Sequence, residues 1–276
     1  MNLEEEIGKE GRIRRIAGSL FFGSYLRNDV ARLQEFVLVA HDYARNQPAQ
    51  LQALAAKWQA CSDAPMRELD HKEGDDPTML IAKNIARLKI MYGFDVAWVD
   101  AFLVAMLHPA SRPKTLAESL DHVYASAETI GLMVASMLRL PKDARPAAQA
   151  QARAIQWITF VRDIGNNNPP RIHFFPKEDL VQFGLKDVSQ KTAEANPVQF
   201  GAFIALQLSR YRQWQDEASA DMAYVPRRPR VAINTVADGY RHTAKVIAKH
   251  PLALFERTMH PSQTRQWLTL LGHSFD

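Results

Sequence analysis

The stretch that decides the fold is Ala148–Pro176, AQAQARAIQWITFVRDIGNNNPPRIHFFP, near the middle of the chain. Its first half predicts a buried helix, because apolar side chains recur three or four positions apart. The glycine, asparagines and prolines that follow cannot remain helical. Arg162 and Asp163 therefore fall in the last turns of an apolar helix, where a charged pair is costly unless it meets a partner, a ligand or water. Spacing alone favours an exposed Arg–Asp pair that caps the helix, with a ligand-binding pair as the alternative.

This stretch resembles the second signature of the squalene and phytoene synthases, a family that condenses prenyl diphosphates head to head. The matching positions keep the spacing of that signature, and they are Gln156, Phe160, Arg162, Asp163, Ile164, Phe175 and Pro176. Thr159 stands where the family has asparagine, and Asn166 and Asn167 stand where it has glutamate and aspartate. The resemblance is therefore specific in spacing and altered in chemistry.

A segment near the N-terminus resembles the family's first, aspartate-rich signature, which the chain matches at Ser19–Phe22 and over much of Arg27–Tyr43. Asp42 keeps its place, but His41 and Arg45 replace the two outer aspartates. Two further segments resemble the family. The small-residue helix Tyr124–Met133 is expected to form the floor of a prenyl-chain cavity, or simply a close helix contact, and Tyr240 and Arg241 match the family's closing helix.

The resemblance implies an all-α fold, a single-domain helical bundle of the isoprenoid synthase type with a central cavity. We expect the domain to span residues 18–276 and residues 1–17 to be a loosely packed lead-in. Apolar spacing separately predicts helices, among them Thr78–Tyr92, Asp95–Leu107, Pro197–Ala218 and Arg230–Ala248.

The resemblance also implies roles for individual residues. The expected catalytic residues are Asp163, Arg162 and Tyr124. The expected substrate-binding residues are His41, Arg45, Gln156, Thr159, Gly131 and Tyr240. The expected magnesium ligands are Asp42, Asp163 and, more weakly, Asn167.

The replaced positions bear directly on magnesium chemistry. Magnesium prefers carboxylate and water oxygens to imidazole or guanidinium groups. A guanidinium at position 45 repels the cation and matches a phosphate instead. We therefore expect magnesium-dependent prenyl transfer to be absent or strongly impaired.

Three interpretations of function remain open. The first, which we favour, is a non-catalytic relative that binds an isoprenoid or another lipid, or serves as a partner subunit for another protein. The second is an active prenyltransferase with altered chemistry, in which Arg45, Arg162 and His41 hold a diphosphate with little or no metal. The third is an ordinary squalene or phytoene synthase. Mg²⁺ is expected as a cofactor only if the protein is active, and otherwise none is expected.

Composition and charge indicate which ligands and which cellular location the protein suits. The net charge of +4 and the pI of about 9.2 suit anionic ligands or a membrane surface and are too mild to indicate nucleic acid. A lone cysteine, Cys61, excludes an internal disulfide. Residues 1–15 lack the apolar core of a secretory signal, so we expect a cytoplasmic protein with peripheral membrane contact. Arg227, Arg228 and Arg230 form the densest basic cluster, either a solvated loop or a contact for phosphate or lipid headgroups.

Overall fold

Several helices in this chain begin with local signals that the sequence makes visible. Pro48, Pro77 and Pro197 open helices at a position where the missing backbone N–H has no partner to lose. The carboxylate of Asp76 accepts a hydrogen bond from the Met79 N–H at 3.0 Å and so caps the helix that follows. These signals fix where the chain turns from loop to helix.

The computed structural model describes residues 24–108, 112–165 and 174–256, and all regular elements within those ranges are helical. The main helices are α1 (Ser24–Asn46), α2 (Pro48–Ser62), α3 (Pro77–Tyr92), α4 (Val96–Leu107), α5 (Leu116–Val123), α6 (Thr129–Met137), α7 (Arg145–Arg162), α8 (Lys177–Gln182), α9 (Gln190–Ala195), α10 (Pro197–Ala220) and α11 (Arg227–Lys249). Within the same ranges, no helix is both long and apolar enough to cross a bilayer.

The predicted helices are confirmed, with small shifts at their ends. Helix α10 runs two residues beyond its predicted end, to Ala220, and α11 starts at Arg227, three residues before the predicted Arg230. The basic cluster is therefore part of a helix, which corrects its interpretation as a loop. The lead-in of residues 1–17 lies outside the described residues, and the single domain over 18–276 stays a prediction.

Apolar side chains form two hydrophobic clusters. Helices α1 to α4 and α6 build the first, in which the Phe36 and Phe102 rings lie 5.2 Å apart. Helices α7, α10 and α11 build most of the second, centred on Trp157, which packs edge-on against Trp214 at 5.3 Å. Helix α7 packs along α10 and also contacts α6, so it joins the two clusters.

A π-helical turn, Tyr124–Glu128, links α5 to α6 without a break in the chain direction. The Thr129 N–H donates to the Tyr124 carbonyl, five residues back. The Ser126 and Thr129 hydroxyls bond the carbonyls of His122 and Ala125 at 2.8 and 2.9 Å. The sequence predicts one long helix or a kinked pair here, and the structure has a continuous helix with one widened turn.

The end of α7 is held against a turn that lies much later in the chain. A short 3₁₀ turn, Asp163–Gly165, follows α7, and another, Pro251–Phe255, follows α11. A Cβ atom at Gly165 would overlap the Leu254 carbonyl, so only glycine permits this contact. The contact fixes the position of the α7 end.

Candidate functional site

A cavity of about 350 Å³ lies between α1, the π turn, α6, α7 and the start of α11. Along α7 its walls extend from Ala147 to Gln156, about 14 Å at the rise of an α-helix. At one end the walls include His41, Ser126 and Gln156, and we call this the His41 end. The opposite end, here the Val225 end, includes Leu140, Asp221, Met222 and Val225. Most lining side chains are alanine or aliphatic, so the cavity suits an apolar ligand.

Gly131 lets two walls of the cavity approach each other. A Cβ atom there would lie 2.8 Å from the Ala148 carbonyl oxygen and 3.0 Å from the Ala152 Cβ. Both distances are too short for an ordinary contact, so α6 and α7 can lie this close only with glycine at position 131. The segment therefore packs closely against α7 and also lines the cavity, while its contact with a prenyl chain stays a prediction.

A buried ion pair fixes the same two walls. Glu128, 2% exposed, accepts hydrogen bonds from the Arg153 guanidinium at 2.6 and 3.1 Å and from the Gln149 amide at 3.1 Å. Glu128 ends the π turn and Arg153 lies on α7, so the pair ties the floor of the cavity to its long wall. Sequence reasoning missed this pair, because nothing in the local pattern shows which arginine meets Glu128.

His41 occupies the position of a family aspartate and lies against apolar groups. Its ring packs edge-on against Phe102, with centroids 6.0 Å apart. Burial and then the neighbouring positive charge of Arg45 lower the pKa of His41 below its usual value. The imidazole is therefore neutral at neutral pH, where the family has a carboxylate.

A second histidine, His122, lies close enough that the charge of His41, after burial, helps to lower its pKa. The His122 ring stacks on Phe174, with centroids 4.7 Å apart, and Phe174 in turn stacks on Phe160 at 4.2 Å. The stack joins the end of α5 to α7 through aromatic rings. Sequence reasoning missed His122, because its partners come from distant parts of the chain and no spacing rule joins them.

The predicted acidic ligands are bound to their own neighbours. Both carboxylate oxygens of Asp163 accept hydrogen bonds from Arg162, at 2.7 and 3.1 Å. Asp42 is exposed and accepts from the amides of Asn46 and Gln47 at 2.8 and 3.4 Å. Neither carboxylate lines the cavity.

Other predicted site residues are spread over the structure. Gln156 and Gly131 line the cavity together with His41. The Thr159 hydroxyl donates to the Ile155 carbonyl at 2.8 Å, within α7. Tyr124 opens the π turn and is 39% exposed, and Tyr240 packs on the second hydrophobic cluster.

The described side chains lack the grouping of donor atoms that a magnesium site needs. Within residues 24–108, 112–165 and 174–256, no three His, Cys, Asp or Glu side chains come together in a group that could hold a metal ion. Asn167, the weak ligand expected from sequence, lies outside the described residues. The described residues therefore do not fit the family's magnesium cluster, since a cation would meet an imidazole, a guanidinium and one carboxylate already engaged by arginine.

Comparison with known proteins agrees with this architecture. The model of the squalene/phytoene synthase family matches residues 13–266. A solved dehydrosqualene synthase in complex with ligand aligns with a TM-score of 0.80 and 19% identity, covering 99% of this chain and 94% of that one. Squalene synthase HpnC from Alicyclobacillus acidocaldarius aligns with a TM-score of 0.58 and 17% identity, covering 84% and 97%. No curated protein matched the sequence. The predicted all-α isoprenoid synthase fold is confirmed.

Proposed function

The chain belongs to the squalene/phytoene synthase family, and we propose that it holds an isoprenoid chain in the cavity without magnesium-dependent prenyl transfer. The observation that carries this proposal is the His41 end. There a neutral imidazole and, one helical turn later, an arginine take the places of two carboxylates. Separately, at the end of α7, Asp163 is engaged by Arg162. An apolar cavity of about 350 Å³ supports retention of an apolar chain.

The physical argument concerns the leaving group. Ionisation of a prenyl diphosphate needs concentrated positive charge on the diphosphate, which bound magnesium supplies in a carboxylate-rich site. Here the described carboxylates are too few and too far apart to collect the ions. The apolar lining of the cavity supports the other requirement, an apolar surface around the ligand.

A second candidate function rests on Arg45. Arg45 is exposed and makes no hydrogen bond or ion pair within the described residues. Its positive charge, after burial, contributes to the lowered pKa of His41. A free guanidinium beside the cavity end is suited to a diphosphate, through charge and paired hydrogen bonds. This second candidate is an active prenyltransferase that acts on prenyl diphosphates with little metal.

Calorimetric titration separates the two candidates. Farnesyl diphosphate and farnesol are titrated into the protein with and without magnesium chloride, and released pyrophosphate is assayed. Binding of both ligands without magnesium and without pyrophosphate supports a carrier. Pyrophosphate release supports an enzyme, and its dependence on magnesium would overturn the argument from the carboxylates. If neither ligand binds, the isoprenoid proposal is wrong and a role as partner subunit becomes the better explanation.

A matched pair of variants tests Arg45 itself. If Arg45 holds the diphosphate, Arg45→Ala weakens binding of farnesyl diphosphate by about tenfold or more and leaves farnesol unchanged. Arg67→Ala is the control, because Arg67 is also exposed but lies in the loop between α2 and α3. Unchanged affinity in Arg45→Ala would exclude the diphosphate contact.

A further inference from the structure

Helix α11 presents basic side chains to solvent at both of its ends, on one face that also carries Asp238 between the two groups. The helix contains six arginine or lysine residues and a single carboxylate, Asp238. Five of the basic residues recur at helical spacing along one face, and all five are exposed or partly exposed: Arg227, Arg230, Arg241, Lys245 and Lys249. We call this set the α11 basic face. At 1.5 Å per residue, a 23-residue helix extends over about 34 Å.

Little within the described structure neutralises this face. Arg241 pairs with Asp238, one turn away. The other four basic side chains make no ion pair within the described residues. Arg227 also lies at the first turn of α11, where the positive end of the helix dipole opposes a positive side chain. Apart from Asp238, no carboxylate of the described residues pairs with this concentration of positive charge.

The same helix forms part of the cavity wall. Ile233 of α11 lines the cavity, and so do Met222 and Val225 in the segment that leads into the helix. Tyr224, between those two residues, is 51% exposed. The chain thus alternates, within a few residues, between side chains that face the apolar cavity and side chains that face water. The basic face and the Val225 end of the cavity share one structural element.

We propose that the α11 basic face docks on the surface of an anionic bilayer, with α11 lying along the membrane plane. The partner is inferred from charge complementarity, because anionic headgroups present a planar negative surface that the basic groups at both ends of a straight helix can contact together. Tyr224 reaches the headgroup level, where tyrosine is favoured by its apolar ring and polar hydroxyl. Docking in this way brings the Val225 end of the cavity next to the lipid. This inference stands apart from the proposed function, since it involves neither magnesium nor a prenyl diphosphate.

The direct experiment is sedimentation of the full chain with phosphatidylcholine vesicles, with and without phosphatidylglycerol, over a range of salt concentrations. We expect binding only to the anionic vesicles, and we expect added salt to weaken it. The double variant Arg227→Glu/Lys245→Glu should lose about tenfold or more in affinity, since two attractive charges become repulsive. The charge-conserving variant Arg227→Lys/Lys245→Arg should bind like the parent protein.

A control of equal net charge decides whether the surface or the total charge matters. Arg67 and Lys72 are exposed and lie in the loop between α2 and α3, on the first hydrophobic cluster's side of the molecule. Arg67→Glu/Lys72→Glu should keep vesicle binding. Equal loss in both double variants, equal binding to neutral vesicles, or no vesicle binding by the parent chain would each overturn the proposal. Circular dichroism of every variant establishes that the helices are intact.

Discussion

Arg162 donates two hydrogen bonds to the carboxylate of Asp163, its neighbour in the chain, at 2.7 and 3.1 Å. The arginine side chain is 14% exposed and the aspartate 37%. The guanidinium occupies one acceptor position on each oxygen of this carboxylate, and its positive charge opposes a cation beside it. The pair therefore explains why conservation of an aspartate position in a sequence motif need not conserve metal ligation.

Restoring the family's carboxylates tests this explanation. The triple variant His41→Asp/Arg45→Asp/Asn167→Asp should gain magnesium affinity by about tenfold or more, because each change adds a hard anionic ligand or removes a repelling charge. Calorimetry with magnesium chloride measures the gain. Adding Asp163→Asn to the triple variant should abolish most of it, and a gain that survives this fourth change would show that Asp163 is not a ligand.

Two glycines on different helices should respond oppositely to alanine. Gly131→Ala pushes a methyl group against the Ala148 carbonyl, so we expect a loss of stability of roughly 1–3 kcal/mol and a narrower cavity. Gly201, on α10, has no atom within 4 Å of an added Cβ. Gly201→Ala should therefore stabilise the protein by roughly 0.5–1 kcal/mol. Urea unfolding measures both, and a neutral Gly131→Ala would refute the close contact.

The buried pair between Glu128 and Arg153 should matter more than an exposed one. Arg153→Met leaves the Glu128 carboxylate buried without its partner, and we expect a loss of about 3 kcal/mol. Arg241→Met removes an exposed pair with Asp238 and should cost roughly 0.5 kcal/mol or less. Urea titration of both variants gives the free energies of unfolding that are compared. Similar losses in both variants would mean that burial adds nothing at Glu128.

Acid should destabilise the protein in part through His41. Its pKa is lowered in the folded state by burial and then by Arg45, so the unfolded chain binds the proton more readily. The free energy of unfolding starts to decrease as the pH falls through about 6.5, the pKa of histidine in the unfolded chain. The decrease continues until the pH reaches the pKa of His41 in the folded protein. His41→Asn should therefore lose less stability than the parent between about pH 7.5 and pH 5.5.

The control for this pH effect is His250→Asn, because His250 is exposed at the end of α11. It should show the same pH dependence as the parent protein, including the contribution of carboxylates. Urea midpoints at the two pH values provide the comparison. If both variants lose stability in parallel with the parent, the His41 imidazole does not contribute.

Helix positions could be predicted well because their causes are local. Pro48 and the apolar spacing after it define α2 to the residue, and Asp76 marks the start of α3. The π turn could not be predicted in this way, because it is defined by a hydrogen bond between backbone groups that nearly every residue carries. Its hydrogen bond from Thr129 to Tyr124 is visible only in three dimensions.

The sequence indicated which residues lie near the cavity, but it did not indicate in which direction their side chains point. His41, Gly131 and Gln156 line the cavity, as the family resemblance implies for substrate contacts. Asp42 occupies a ligand position in the sequence. Its carboxylate nevertheless accepts hydrogen bonds from the side-chain amides of Asn46 and Gln47, four and five residues later. A motif specifies which residue stands at a position, whereas competing donors nearby decide where the side chain points.

The contact between Gly165 and the Leu254 carbonyl has a consequence for the order of events during synthesis. A ribosome extends the chain at roughly 5–20 residues per second, so several seconds separate the emergence of these two residues. Until the Pro251–Phe255 turn has left the exit tunnel, the α7 end has no partner to set its position. The first hydrophobic cluster, built entirely from residues before 138, can assemble earlier. The nascent protein can therefore complete its first hydrophobic cluster before it completes the end of α7 that carries Arg162 and Asp163.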